Sequence, residues 1–211
     1  MTPFLRYAVF LSSGFCLVSL LILLIKTFAF GRRTNYAKHR GSAVRGVLYA
    51  FGRGMMPTEK ESARRHLFTY SAGVTYHGGI LAALVYLVLL LLEYELPAPL
   101  LSLFRLLLTL GFVAGFFLLL RRILLPAPRK LSCPDDFAAN ILVTAFVLLG
   151  AVHSQWESGL PLFFLTATAV FLYVPLGKIR HCVFFFYSRV LFGLFYGSRG
   201  VLPQEKKQEA A

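Results

Sequence analysis

The sequence predicts an all-α integral membrane protein: a bundle of five transmembrane helices with the N-terminus outside and the C-terminus in the cytoplasm. Hydrophobic residues make up 57% of the 211-residue chain, whereas soluble domains contain about 45–50%. Five apolar segments each reach the roughly 20 residues that cross a bilayer, and lysine and arginine concentrate in alternate connections. Membrane topology therefore explains the formal net charge of +13, which does not indicate a nucleic-acid partner.

The predicted spans are residues 7–30, 67–96, 100–124, 137–156 and 160–182. A cleavable signal peptide has its positive charge in front of a shorter apolar region. Here only Arg6 precedes the first span and a basic cluster follows it, so we expect this span to be retained. The stretch Pro-Thr-Glu-Lys-Glu at 57–61 resembles a capping box, which predicts that the second helix begins near Thr58. Pro97 is expected to end that helix at Leu96.

The third and fourth spans carry local signals of their own. Gly111 and Gly115 place two small residues one turn apart in the third span, an arrangement that allows close contact with another helix. Asp135 or Asp136, which follow Pro134, are expected to cap the N-terminus of the fourth helix.

Positive charge sets the predicted orientation. Residues 31–65 contain nine Lys or Arg, the end of the third span and the connection after it contain four, and the stretch from Lys178 onward contains six. The opposite connections contain Glu93, Glu95 and Glu157 and no Lys or Arg. Because short loops rich in Lys and Arg stay in the cytoplasm, the chain should run from an outer N-terminus to an inner C-terminus.

The cytoplasmic connection at 31–65 includes a helical stripe formed by Ala43, Val44, Val47, Leu48 and Phe51. Arginines lie beside this stripe, so it is interpreted as a basic amphipathic segment that lies on the inner leaflet or under a partner subunit. We treat residues 1–203, including this connection, as one membrane domain, and expect a disordered tail at 204–211.

An ionisable side chain inside a membrane span indicates a functional site, and His77 is such a residue. At about 1.5 Å per residue, His77 lies roughly 29 Å below Leu96 in the second span. His181 lies roughly 30 Å below Pro161 in the fifth span on the same rise. The two imidazoles therefore reach one level in the inner leaflet and are predicted to be the axial ligands of one haem.

Neighbouring residues suit that hypothesis. Gly78 leaves room where a flat macrocycle must press against the backbone, and Gly79 is given the same role. Lys178 and Arg180 are candidate partners for the negatively charged haem propionates. The chain has no C-x-x-C or C-x-x-C-H pattern, which argues against an iron–sulfur cluster held by this chain alone or a c-type haem.

Simpler interpretations of the histidines stay open. His77 could be a packing residue bonded to a carbonyl, and His181 an interfacial residue beside its basic neighbours. His66 is expected to be interfacial and His39 to be solvated. His153 and Glu157 share a helix face and could handle protons at the outer surface, or simply form a solvated helix end.

Four motifs occur in a fixed order: Tyr-His-Gly-Gly-Ile-Leu at 76–81, Leu-Leu-Arg-Arg-Ile-Leu at 119–124, Asp136, and Val-Pro-Leu-Gly-Lys-Ile-Arg-His at 174–181. With them the chain resembles, over roughly residues 67–203, the cytochrome b (gamma) subunit of respiratory nitrate reductase. It also resembles relatives of that subunit in sulfate-reducer and heterodisulfide-reductase-type membrane redox complexes.

The resemblance implies a haem b-binding subunit of a quinone-linked oxidoreductase in the prokaryotic inner (plasma) membrane. Such a subunit is not catalytic alone; it passes electrons between quinone or quinol and a cytoplasmic iron–sulfur subunit. The family's second haem would be held near Leu87 and Phe163, which cannot ligate iron, so one haem is expected. The quinone site is then expected close to this inner haem. The alternative is a haem-free membrane anchor, and a small transporter or channel ranks last.

Overall fold

The computed structural model describes residues 2–30 and 37–202, and every regular element in these residues is helical. The α-helices are α1 (Thr2–Ala29), α2 (Ala43–Phe51), α3 (Glu61–Arg65), α4 (Leu67–Leu91), α5 (Ala98–Leu124), α6 (Pro126–Lys130), α7 (Pro134–Gln155), α8 (Leu160–Tyr173) and α9 (His181–Ser198). The all-α prediction is therefore confirmed for the described residues. The expected tail at 204–211 lies outside them.

Four of these helices, α1, α4, α5 and α7, are long and apolar enough to cross a membrane. An interrupted pair, which includes α8 and α9, brings the number to five if the pair counts as one span. These helices have the features of a multi-pass membrane protein. The orientation of the chain stays a prediction.

The second span begins later than the capping signal predicts. Residues Pro57–Glu59 form a 3₁₀ turn, and extended backbone at Lys60 separates this turn from α3. The predicted capping box requires Glu61, three residues after Thr58, but Glu61 is the first residue of α3 and its carboxylate pairs with Arg65. The Glu59 carboxylate accepts hydrogen bonds from Tyr49 (2.9 Å) and Arg53 (2.6 Å). A second break at His66 then separates α3 from α4.

The second span also ends earlier than predicted, at Leu91 rather than Leu96. The chain turns there through Glu93, which has a left-handed φ of 55°. The Glu93 amide donates to the Leu90 carbonyl and the Tyr94 amide to the Leu89 carbonyl, which is the hydrogen-bond pattern of a Schellman C-cap. Arg6 pairs with the Glu93 carboxylate and also donates to the Leu91 carbonyl. Pro97 instead precedes the start of α5.

The fifth predicted span, 160–182, is not one continuous helix. Because Pro175 has no amide hydrogen, it cannot continue the helical hydrogen bonding, and α8 ends at Tyr173. A turn closed by the Gly177 amide on the Tyr173 carbonyl (2.9 Å) leads to a 3₁₀ turn at Lys178–Arg180. His181 is therefore the first residue of α9. The predicted depth of His181 assumed one continuous helix from Pro161, and that assumption was wrong.

The described residues form two compact units. The first contains Met1–Leu21 and Phe68–Arg180, and the second contains Ile22–Leu67 and His181–Ala211.

In the first unit, α4 and α5 touch through their backbones. A Cβ atom placed on Gly79 would lie only 2.5 Å from the Gly111 Cα. One turn further along α5, a Cβ on Gly115 would lie 2.4 Å from the Tyr76 ring. The prediction that Gly111 and Gly115 form a close helix contact is confirmed. The expectation that Gly79 leaves room for a macrocycle was wrong, because the Gly111 backbone occupies that space.

In the second unit, α2 packs against α9. Ser42 caps α2 by accepting a hydrogen bond from the Arg45 amide (3.3 Å), so the predicted helical segment is confirmed. A Cβ atom on Gly46 would lie 2.2 Å from the Gly193 carbonyl oxygen and 2.5 Å from the Gly197 Cα. The two helices therefore meet backbone against backbone.

The Gly79–Gly111 contact predicts different outcomes for two glycines of α4. Gly79→Ala should destabilise the protein by about 1–3 kcal/mol, the usual cost of overpacking. The matched control is Gly73→Ala, because a Cβ there meets nothing within 4 Å and alanine favours a helix by up to about 1 kcal/mol. Thermal unfolding in detergent measures both. Equal melting temperatures for the two variants would contradict the contact.

Candidate functional site

A cleft of about 510 Å³ opens in the first unit between the N-terminal part of α4, the C-terminal end of α5 and the beginning of α7. Two of the residues predicted to form the site, His77 and Lys178, line it. Gly78 lies beside His77 and faces open space, since a Cβ there would meet nothing within 4 Å. Arg180 is exposed and does not line the cleft. His181 belongs to the second unit, and its pairing with His77 stays a prediction.

The tautomer of His77 follows from its hydrogen bond. The ring nitrogen Nδ1 lies 2.8 Å from the Gly73 carbonyl oxygen. A carbonyl oxygen can only accept, so Nδ1 carries a hydrogen, and in the neutral ring Nε2 then carries the lone pair. Histidines that ligate metals commonly donate their other nitrogen to a carbonyl in this way. This bond also fits the simpler interpretation of His77 as a residue bonded to a carbonyl, although the side chain is exposed rather than packed.

A chain of hydrogen bonds fixes Tyr76, the residue before His77. The Tyr76 ring is buried and its hydroxyl lies 2.9 Å from the Thr144 hydroxyl. Thr144 in turn donates to the Asn140 Oδ1 atom (3.0 Å), so Tyr76 is the donor to Thr144. Because Gly115 makes space for the ring, this link sets the rotation of α4 against α7.

The Asp136 carboxylate contacts two positively charged side chains at the cleft. Its Oδ2 atom accepts from Lys178 Nζ (2.7 Å) and from the Cys133 amide (2.9 Å), while Arg122 lies 3.5 Å from Oδ1. The N-cap position belongs to Cys133, and Asp136 caps the helix from the third helical position. The expectation of an aspartate at the N-cap itself is corrected accordingly, since Pro134 and Asp135 are the first two residues of α7.

The turn that carries Lys178 is tied to α7 by Asp135. The Asp135 carboxylate accepts a hydrogen bond from the Tyr173 hydroxyl and another from the Lys178 amide (2.9 Å). Two adjacent aspartates thus hold both the backbone and the side chain of Lys178 in place at the edge of the cleft.

The lining of the cleft is positively charged. It contains three cations, Arg121, Arg122 and Lys178, and one carboxylate, Asp136. Sequence reasoning had proposed Lys178 and Arg180 as anion partners and had missed the two arginines in this role. The available signal was their place as neighbouring basic residues in the last turn of α5.

The opposite end of the first unit is filled by side chains. Leu87 and Phe163 are 1% and 0% exposed. The Phe163 ring stacks on Phe146 with centroids 5.1 Å apart, and it also contacts Tyr86 and His153. His153 is half-buried among these rings, which does not fit the interpretation of a solvated helix end.

Within residues 2–30 and 37–202, no three His, Cys, Asp or Glu side chains form a group that could hold a metal ion. No protein-family model, curated protein or solved structure matches this chain. The fold and the cleft together define a helical protein with helices long and apolar enough to span a membrane and with a cationic cleft lined by His77.

The hydrogen bond between Tyr76 and Thr144 predicts that mutating the two residues lowers stability by unequal amounts. Thr144→Val leaves a buried tyrosine hydroxyl without its nearest partner and should cost about 1–3 kcal/mol. Tyr76→Phe should cost less, because Thr144 keeps its hydrogen bond to Asn140. The double variant should lie close to Tyr76→Phe in thermal stability. Strictly additive effects of the two changes would contradict the link.

Proposed function

We propose that the chain is the haem b-binding membrane subunit of a quinone-linked oxidoreductase and transfers electrons between the quinone pool and a cytoplasmic iron–sulfur subunit. The observation that carries this proposal is the combination of His77 and its surroundings. An imidazole with its lone pair on Nε2 lies on the wall of a cleft whose other lining residues include three cations. In the proposed setting the subunit lies in a prokaryotic inner membrane.

The residues present fit a haem. A neutral imidazole is a common axial ligand of haem iron, and the tautomer of His77 suits that role. Propionate groups are anionic and favour arginine and lysine partners, which Arg121, Arg122 and Lys178 supply at the same cleft. We assign His77 and His181 as the two axial ligands, with Gly78 beside the first and Arg180 as a further cation near the second.

When bound, a haem would supply a one-electron redox centre. The chain's own residues prepare the site for it. The Gly73 carbonyl holds the His77 tautomer, Thr144 fixes the neighbouring Tyr76, and Asp136 holds Lys178 and Arg122 close to one another. Each of these contacts restricts a side chain before any ligand arrives, which lowers the ordering cost of binding.

The packing at the other end supports a single haem. By the family resemblance, Leu87 and Phe163 stand where a second pair of ligands would be required. Both are core residues, and Phe163 packs against aromatic rings. We therefore propose one haem at the cleft and a quinone site near it. The basic connections between the spans would dock the iron–sulfur subunit.

One observation favours the second candidate, a haem-free membrane anchor. Two of the three cations that line the cleft, Arg122 and Lys178, already interact with Asp136. In an anchor these contacts would only stabilise the joint between α5, α7 and the turn before α9. The absorbance of the purified protein distinguishes the two candidates.

Replacing His77 or His181 with Ala, one at a time, should abolish haem binding, because each removes one axial ligand. His66→Ala is the matched control and should leave binding intact. The measurement is haem content per protein together with the reduced-minus-oxidised spectrum after haem-replete expression. Size-exclusion chromatography shows whether each variant is folded. Retained haem in folded His181→Ala protein would refute the pairing, and a wild-type protein without b-type bands would favour the anchor.

A further inference from the structure

The second unit carries an apolar surface that the proposed function does not use. Val44, Leu48 and Phe51 form a row along one side of α2, which we call the α2 row. They are 68%, 68% and 37% exposed. A soluble surface rarely keeps such residues in a continuous line without a partner or a lipid phase.

The α2 row cannot turn inward. The opposite side of α2, with Gly46 and Ala50, is buried, and Gly46 meets the α9 backbone at Gly193 and Gly197. The amides of Arg40 and Gly41 both donate to the Ser198 carbonyl, at 2.9 and 3.1 Å. These contacts hold α2 in one rotation, so the outward position of the row is built into the fold.

The row is continuous with the apolar surface of α9. The Phe51 ring stacks on Phe186, with centroids 6.1 Å apart, and Phe186 is itself 59% exposed. Further along α9, Val190, Leu194 and Phe195 are also exposed. Since α9 belongs to a helix pair apolar enough to enter a membrane, lipid suits this surface better than water does. Through the Phe51–Phe186 contact the α2 row adjoins the same surface.

The unit that carries the α2 row is positively charged. The described residues of this unit contain ten Lys or Arg and two Glu. Both glutamates have arginine partners, Glu59 with Arg53 and Glu61 with Arg65. Within the part of the chain that the structure describes, Arg40 and Arg45 have no carboxylate within ion-pair distance. Arg45 adjoins Val44 in α2, and Arg40 lies just before the helix.

We infer that α2 is an interfacial helix that binds anionic phospholipids. Val44, Leu48 and Phe51 insert among the acyl chains, while Arg40 and Arg45 bind the phosphate groups of the lipid heads. Amphipathic helices with a basic edge bind anionic membranes in this way. By the predicted topology, the lipids belong to the inner leaflet. The inference does not depend on the haem, because none of these residues belongs to the cleft.

The depth of α2 tests the inference first. The native cysteines, Cys16, Cys133 and Cys182, are first changed to Ser. A single cysteine is then introduced by Val44→Cys or Leu48→Cys and labelled with a nitroxide. The labelled protein is reconstituted into liposomes that contain phosphatidylglycerol. Thr58→Cys, an exposed polar position of the same unit, is the control. Labels at 44 and 48 should collide with oxygen and be protected from a water-soluble nickel chelate, and the label at 58 should show the reverse. Equal access to nickel at all three positions would overturn the inference and indicate a protein-binding surface instead.

The charge of the surface tests the lipid class. Arg40→Gln/Arg45→Gln should lower the preference for phosphatidylglycerol over phosphatidylcholine about fivefold for each arginine removed. Spin-labelled lipids of both classes measure this preference on the full-length protein. The control Arg129→Gln/Lys130→Gln removes the same charge from α6, an exposed segment of the first unit, and should change the preference less. An unchanged preference in the first variant, or equal losses in both, would refute specific binding by α2.

Discussion

The contact between Gly79 and Gly111 is the constraint on which the first unit depends. It brings the backbones of α4 and α5 together, and only glycine at both positions allows this distance. With the two helices this close, the Tyr76 ring fits over Gly115 and reaches Thr144 on α7. His77 follows Tyr76 directly, so the same contact sets the side of α4 on which the imidazole lies. A structural contact between small residues thereby determines the geometry of a chemical site.

The cleft combines two kinds of preorganisation. Hydrogen bonds orient the His77 imidazole and the neighbouring Tyr76, and Arg122 and Lys178 both interact with the Asp136 carboxylate. One carboxylate does not balance three cations, so the cleft keeps an attraction for an anion next to a potential metal ligand. A haem, with iron at its centre and carboxylates at its edge, requires this combination of a ligand and cations. At the opposite end, the same unit contains aromatic rings that pack against one another.

Hydropathy and charge were sufficient to predict an all-helical protein with long apolar helices, because these properties depend on composition and period alone. The close contact at Gly111 and Gly115 also followed from spacing. The break after Tyr173 was missed, although Pro175 and Gly177 were visible, because apolar composition alone suggested a continuous span. The start of α4 was missed because Thr58 and Glu61 match a capping box locally, whereas the chain breaks at Lys60 and again at His66 before α4 begins. Arg121 and Arg122 were missed as part of the cleft, although they are neighbouring basic residues in the last turn of α5, because their place at the cleft follows from the packing of α5 against α7.

Both units use glycine to bring helices into backbone contact, but with different results. In the first unit the contact shapes a cleft, and in the second it turns an apolar row outward. The central claim is that two imidazoles hold one haem in this protein. Near-infrared magnetic circular dichroism of the oxidised, purified protein tests it most directly, because this signal reports the identity of both axial ligands. The account predicts a single low-spin haem with two histidine ligands. A haem with one histidine and a different second ligand, or a high-spin haem, would contradict it.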